Sequence, residues 1–444
     1  MKAISNWGNY PQVKAELHHF DSVERLKEVL NAVDFAIARG KGRCYGDSAL
    51  SPHIISTLRY NKILAFDEET GLICCQSGVT LEDLLDVFVP RGWFLPVTPG
   101  TKFITVGGAI ASDVHGKNQH KEGNFSQHVL SLDLMLGDGT VITCSRDENP
   151  DLFWATCGGM GLTGVILQAT FRMKRIETAY IRQETLKAGN LAALMDLFEE
   201  SKDWTYSVAW IDCLSKGRQM GRGVLMRGEF ATLDDLVKPA HKQAPLVLRP
   251  KPKLTVPFNF PGFALNTLSV KAFNAFYYLK HPNRVVRSIV DYDTFFYPLD
   301  VINHWNRIYG RRGFTQYQFV LPKNASRDGL TAILHKIAES GLGSFLAVLK
   351  LFGGQEGFIS FPMEGYNLAL DFPINDSLFG FLDELDRIVS NYGGRLYLTK
   401  DVRMTKDMFM NTYPNARRFA QLVRSINHGA RFRSLQSDRV GITG

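Results

Sequence analysis

The sequence predicts a two-domain α+β protein. Its 444 residues amount to two to three typical domains of ~150 residues, so two cores sharing an interface are expected. Short strand-like runs alternate with single amphipathic helices along the chain. Glycine-rich connections, dense across residues 101–165, join the elements of the first domain.

Residues 1–18 are irregular. Val23, Leu26, Val29, Leu30 and Val33 then recur at helical spacing behind a capping Asp21 or Ser22. Residues 35–38 read as a short buried strand that stops at Gly40. Leu81, Leu84, Leu85 and Phe88 form a helical stripe capped by Thr80, and 96–100 is a loop by composition. Strands at 130–136, 141–144 and 165–173 complete a domain ending near residue 175. In the second unit, strands are expected at 206–211, 223–227 and 315–321 and helices at 191–197 and 330–337, in a largely antiparallel arrangement. Phe379, Leu382, Leu385 and Ile388 mark a further helix, and 393–397 turns into a strand.

Three glycine-rich stretches carry the chemistry. In the first, Gly40, Gly42 and Gly46 let backbone N–H groups converge on an anion, with Arg39, Lys41, Arg43, Tyr45 and Asp47 around them. The second, 99–118, reads as a ligand-type loop. Its paired Gly107 and Gly108 permit close approach to a flat or charged ligand, and His115 is placed to donate to it. The third contains G-x-G-x-x-G at Gly159, Gly161 and Gly164. A helical segment precedes it and a strand follows, the reverse of a dinucleotide-binding Rossmann turn, so an NAD site is excluded. In the C-terminal half, Gln316 and Gln318 alternate on one face of a strand. Lys400 follows Tyr397 beside Asp401 and Arg403; it is either an acid/base or charge-stabilising group or a surface partner of Asp401.

The remaining signals bound the function. Cys44, Cys74, Cys75, Cys144, Cys157 and Cys213 show no paired spacing, so neither disulfides nor a metal site is expected. No signal peptide and no membrane-spanning run is read, which predicts a cytoplasmic protein or one peripheral on the inner membrane. The net charge of +7 is not accompanied by a nucleic-acid motif. Part of it lies in Lys238, His241, Lys242, Arg249, Lys251 and Lys253, interrupted by Pro239, Pro245, Pro250 and Pro252, which argue against any regular helix or central strand. Next come Phe258, Phe260, Phe263, Phe273, Phe276, Tyr277 and Tyr278. Two readings stay open for this region: a surface loop leading into a core segment, or a membrane-surface contact.

Taken together, 39–47, 99–118 and 158–165 resemble the FAD-binding (PCMH-type) domain of the vanillyl-alcohol oxidase superfamily. Nearly the whole chain, through 107–118, 152–165, 206–212, 298–309, 316–322, 344–353 and 393–403, is similar to the branch of that superfamily that oxidises polyprenylphosphoryl pentoses; only 235–285 matches poorly. The resemblance implies an FAD-binding domain at 1–175, an antiparallel-sheet substrate domain at 176–390, and a segment 391–444 returning to the FAD-binding domain. It implies that Gly40, Gly42, Arg43, Cys44, Tyr45 and Gly46 cradle FAD phosphates. Gly100, Val106, Gly107, Gly108, Ser112, His115, Gly116, Asn118 and Tyr397 line the flavin, and Gly161 and Val165 hold the nucleotide end. Lys400, with His115, serves the chemistry, and Gln316, Gln318, Trp210 and Lys350 surround the substrate. The implied reaction is oxidation of the 2-hydroxyl of a decaprenylphosphoryl-ribose-like lipid to a keto sugar. It forms the first half of an epimerisation completed by an NAD(P)H-dependent keto-reductase partner. Relatives that bind flavin covalently carry His where this chain has Arg43, which implies non-covalent FAD. Relatives attacked by cysteine-directed inhibitors carry Cys where this chain has Ala369. Two further readings remain: a soluble sugar or alditol oxidase using O₂, and a flavin-binding scaffold, against which the polar residues at 316, 318, 350 and 400 argue.

Overall fold

The computed structural model describes residues 1–443 apart from 250, 263, 264 and 356, so Pro250 and Phe263 lie outside the described residues. The N-terminal region holds a four-stranded and a five-stranded sheet, with a two-stranded pairing of Trp93–Phe94 and Lys174–Arg175 beside them. In the first, strands Lys2–Ser5, Gln12–His19, His53–Ser56 and Ile37–Arg39 lie in that spatial order, and only the first pair is antiparallel. The strand expected at 35–38 is displaced to Ile37–Arg39. Pairing with His53–Ser56 begins at Ile37, while Ala36 instead bridges Phe432 of the C-terminal segment. The second sheet is antiparallel, with the order Ile63–Phe66, Leu72–Gln76, Val165–Arg172, Val129–Met135, Val141–Ser145.

Helix starts follow the expected caps. Ser22 accepts from the Arg25 amide at 3.1 Å at the head of helix Val23–Ala32. Thr80 and Asp83 form a reciprocal capping box at the head of Leu81–Phe88. Two expectations fail: residues 1–18 are not irregular but form the paired strands Lys2–Ser5 and Gln12–His19, and part of the stretch 99–118 is not loop. Thr105 accepts from the Gly108 amide and starts a helix, Val106–Ala111. Glycine is used here for closeness, since a Cβ on Gly107 would stand 2.8 Å from Ser77 Cβ.

The larger, antiparallel sheet has eight strands, in the order Val286–Asp291, Tyr180–Ala188, Gly223–Phe230, Tyr206–Ile211, Ala347–Phe352, Gly365–Pro373, Phe314–Pro322, Arg395–Leu396. Strand alternation gives its two faces opposite characters. Tyr317, Phe319, Leu321, Leu349, Leu368 and Leu370 pack with Leu194, Phe198, Leu330, Ile333, Leu382 and Leu385 of helices Leu191–Glu200, Ser326–Ser340 and Leu378–Asn391. The intervening residues face the glycine-rich loops.

The region between 238 and 285 departs from both halves of the loop-and-core expectation. Pro239–Gln243 is a short helix, tolerated because Pro239 occupies a first-turn position whose N–H needs no helical partner. Thr267–Leu279 is a second helix, and only one face of it is core: Val270 and Asn274 are buried, while Leu268, Phe276 and Leu279 are 77%, 69% and 70% exposed. Among the described residues no helix is long and apolar enough to cross a membrane.

Candidate functional site

A cavity of about 540 Å³ separates the glycine-rich loops from the eight-stranded sheet. Its sheet wall follows from register. Gln318 lies opposite Ala369, Val348 opposite Ala369 on the other side, Lys350 opposite Asn367, and Trp210 opposite Val348. Side chains at directly opposed positions share a face, so these residues form one floor together with Gln316. Gln316 is held by Asp371, whose carboxylate accepts from Gln316 Nε2 at 2.6 Å and from Tyr309 Oη at 3.2 Å. Burial pushes the Asp371 carboxyl upward, against the opposing pull of Gln316 and the nearby Lys400.

The loop wall is tied to the C-terminal segment. The Tyr45 amide donates to Thr399 O at 3.0 Å, and a Cβ on Gly46 would stand 1.7 Å from Asp401 O, so only glycine fits that crossing. Asp47 does not join the anion nest. It pairs with Arg439 at 2.7 Å, and Arg439 also reaches Asp401 at 2.9 Å. Arg39 holds the loop from below through Asn6 and Ser5 O. Arg43 lies 4.0 Å from the centroid of the Trp7 ring.

His115 has a defined tautomer. Gln318 Nε2 donates to His115 Nε2 at 3.0 Å, so the proton of the neutral ring sits on Nδ1. Burial, with Lys350 and Lys400 nearby, holds this imidazole well below its ordinary range, hence neutral. Nδ1 is buried and has no protein partner. The ring is fixed by Phe352 and Tyr397, at centroid distances of 4.7 and 5.4 Å, while Tyr397 stacks on Phe361 and donates to Ser112 O at 2.9 Å.

Lys400 is not a surface partner of Asp401, which is engaged by Arg439. Its Nζ lies 3.8 Å from the Tyr45 ring centroid, inside the cavity. Burial lowers its pKa, Asp371 opposes that, and Lys350 adds to it. Lys350 is itself brought down by burial to about 8.

Most residues singled out in the sequence meet at this cavity: Gly40, Gly42, Arg43, Cys44, Tyr45, Gly100, Gly107, Gly108, Ser112, His115, Gly161, Trp210, Gln316, Gln318, Lys350, Tyr397 and Lys400. Five do not reach its lining. Gly46 is pressed against Asp401, and Gly116 against Thr98 O and Asn118. Asn118 Nδ2 donates to Pro96 O at 2.8 Å, bracing the turn. The Val106 and Val165 side chains are fully buried in apolar clusters. Sequence reasoning missed Asn367, Asp371 and Lys117. Lys117 donates to Phe295 O and packs 4.2 Å from the Phe295 ring centroid, and burial brings it down to about 7.

The lining calls for a flat polar ligand with an anionic part. Ser77 Oγ, His115 Nδ1 and Asn367 Nδ2 are buried without protein partners, and all three belong to it. Gly42 and Gly161 adopt φ of +63° and +77°, and a Cβ on Gly100 would meet nothing within 4 Å, leaving room beside the backbone.

Residues 15–145 match the FAD binding domain family. With the antiparallel second domain, the fold and site define a vanillyl-alcohol-oxidase-type flavoprotein, an FAD-dependent oxidoreductase; the unpaired donors and open glycine cradle fit FAD. Over 99% of its length the chain is 38% identical to 97% of the decaprenylphosphoryl-β-D-ribose oxidase of Mycolicibacterium smegmatis, and it belongs to that oxidase family. An uncharacterized Streptomyces coelicolor protein is 32% identical over 82% of this chain and 100% of its own length. The L-gulonolactone oxidase of Mus musculus is 31% identical over 38% of this chain and 40% of its own.

Arg43 has no nucleophilic nitrogen at physiological pH, because its guanidinium stays protonated even with burial drawing its pKa down. Acid precipitation is expected to release all of the flavin into the supernatant; yellow colour retained in the pellet would show a covalent bond.

Proposed function

We propose that the chain oxidises the 2-hydroxyl of a decaprenylphosphoryl-ribose-like polyprenylphosphoryl pentose to the keto sugar. The observation that carries this is the mixed floor of the cavity: Gln316, Gln318, Asn367, Lys350 and Lys400 stand beside apolar Trp210, Phe273 and Tyr277. Such a floor suits a hydroxylated, anionic head joined to an apolar tail. FAD, when bound, supplies the two-electron acceptor that takes a hydride from the alcohol carbon. Lys400, as the free amine favoured by burial, takes the hydroxyl proton. Gln316 and Gln318 orient the sugar hydroxyls, and the Lys350 ammonium offsets substrate charge. His115 Nδ1–H would donate to the flavin, and Gly40, Gly42 and Gly161 would hold its phosphates by backbone N–H groups. Residues 1–175 with 391–444 would serve FAD, and 176–390 the substrate. A ketone product calls for an NAD(P)H-dependent reductase partner to complete an epimerisation. Anaerobic titration with a polyprenylphosphoryl ribose is expected to bleach the flavin stoichiometrically. Bleaching by free sugars or alditols alone, with peroxide formed in air, would replace this reading with a soluble oxidase.

The lipid is proposed to arrive from a membrane surface. Helix Thr267–Leu279 turns Phe273 and Tyr277 to the cavity and Leu268, Phe276 and Leu279 to solvent, and its Lys271 and the adjoining Lys280 are exposed. The protein is expected to sediment with vesicles containing phosphatidylglycerol and not with pure phosphatidylcholine, each basic residue near the surface contributing about 1 kcal/mol. Phe276→Asp with Leu279→Asp should abolish sedimentation; unchanged sedimentation would refute this route.

Ala369 lies on the cavity floor, where a thiol would be presented to a bound electrophile. Cys44 also lines the cavity, but burial raises its pKa and keeps it as the unreactive thiol. Cysteine-directed inhibitors are expected to leave the wild-type mass unchanged and to add one equivalent to Ala369→Cys. Peptide mapping of an adduct on the wild type would contradict this.

A further inference from the structure

A cluster outside the cavity carries a second kind of chemistry. Strands Gln12–His19 and His53–Ser56 run parallel, with Glu16 paired to His53. Glu16 and His18 are two residues apart and share a face, and that face also presents His53. His18 Nε2 and His53 Nδ1 are 3.1 Å apart, His53 Nδ1 and Glu16 Oε2 are 3.8 Å apart, and all three donor atoms lie within 4.8 Å of one another.

The His18–His53 pair stands at hydrogen-bond distance, and a bound ion would take the place of the proton the two rings share. Zinc bound at ~2.0–2.2 Å in a tetrahedron places its donor atoms roughly 3.4 Å from one another, between the two distances observed. The two rings are tilted by 36° with centroids 5.4 Å apart, so their nitrogens converge and the rings do not stack face to face. No motif marks the cluster, because His53 lies far from Glu16 and His18 in sequence and only the parallel pairing brings it in.

We propose that Glu16, His18 and His53 form a mononuclear site for a divalent transition-metal ion. Two imidazoles and one carboxylate suit zinc, and a water completes the fourth position. Because its ligands come from two strands, the ion clips Gln12–His19 to His53–Ser56. It binds only the folded chain, so it stabilises that sheet by mass action.

The test uses chelator-treated, FAD-loaded protein titrated with zinc chloride by calorimetry and with cobalt chloride by visible absorption. One equivalent of zinc per chain and a tetrahedral cobalt spectrum are expected. His18→Gln and His53→Gln should each weaken binding about tenfold or more, with retained flavin showing that the variants fold. Zinc should raise the melting temperature of the wild type and not of the double variant. Absence of zinc binding by the wild type, or equal binding by the double variant, overturns the proposal.

Discussion

Replacing Lys400 by Ala is expected to slow flavin reduction by substrate about 10²–10⁴-fold, the usual contribution of a positioned acid/base group, while FAD stays bound. The Lys400 Nζ sits over the Tyr45 ring in a buried pocket, and the residue's backbone N–H is already satisfied by Tyr397 O. Truncation therefore removes the amine without unravelling the turn. The pH dependence distinguishes a proton-accepting role from a structural one. Burial and Lys350 depress the Lys400 pKa, and Asp371 partly restores it. A base works deprotonated, so wild-type reduction should fall as pH drops below the Lys400 pKa. The slow residual rate of the Ala variant should lack that limb. Stopped-flow reduction across pH reads both. Unchanged kinetics would remove Lys400 from the reaction, and a variant that loses flavin would assign it to cofactor binding.

Arg439→Ala is expected to destabilise the fold by about 3 kcal/mol, at the lower end of the range for breaking a buried ion pair. Arg439 Nη2 and Nε contact the two oxygens of Asp47 at 2.7 and 3.1 Å, Nη1 reaches Asp401 Oδ2 at 2.9 Å, and Nη1 also donates to Met404 O at 2.6 Å. Removing the guanidinium leaves two buried carboxylates facing each other across the segment that carries Lys400. Lysine, a point charge without the planar fork, should restore only part of the loss. A lowered melting temperature, with flavin released at lower urea, is the expected result. A melting curve superimposable on the wild type would refute the assignment.

The fold class was legible because apolar periodicity and caps are local. Thr80 and Ser22 start the helices their side chains cap, and the glutamines at 316 and 318 share a face because strands alternate. The failures are tertiary. Residue type alone does not separate Gly107, beside the cavity, from Gly116, packed on Asn118. Val165 sits next to a ligand-type turn, yet its side chain goes to the core by alternation along Val165–Arg172. Asp371 becomes visible only through the register that sets it opposite Gln316. Lys117 did carry a signal, a lone ammonium two residues after His115 in a small-residue run.

The hydrogen bond from Tyr45 N to Thr399 O joins the loop proposed to cradle phosphate to the turn that carries Lys400. A shift of one is expected to move the other, which predicts that cofactor and substrate occupancy are energetically linked rather than independent. By thermodynamic reciprocity, a substrate analogue that tightens FAD binding by some factor has its own affinity raised by the same factor when FAD is present.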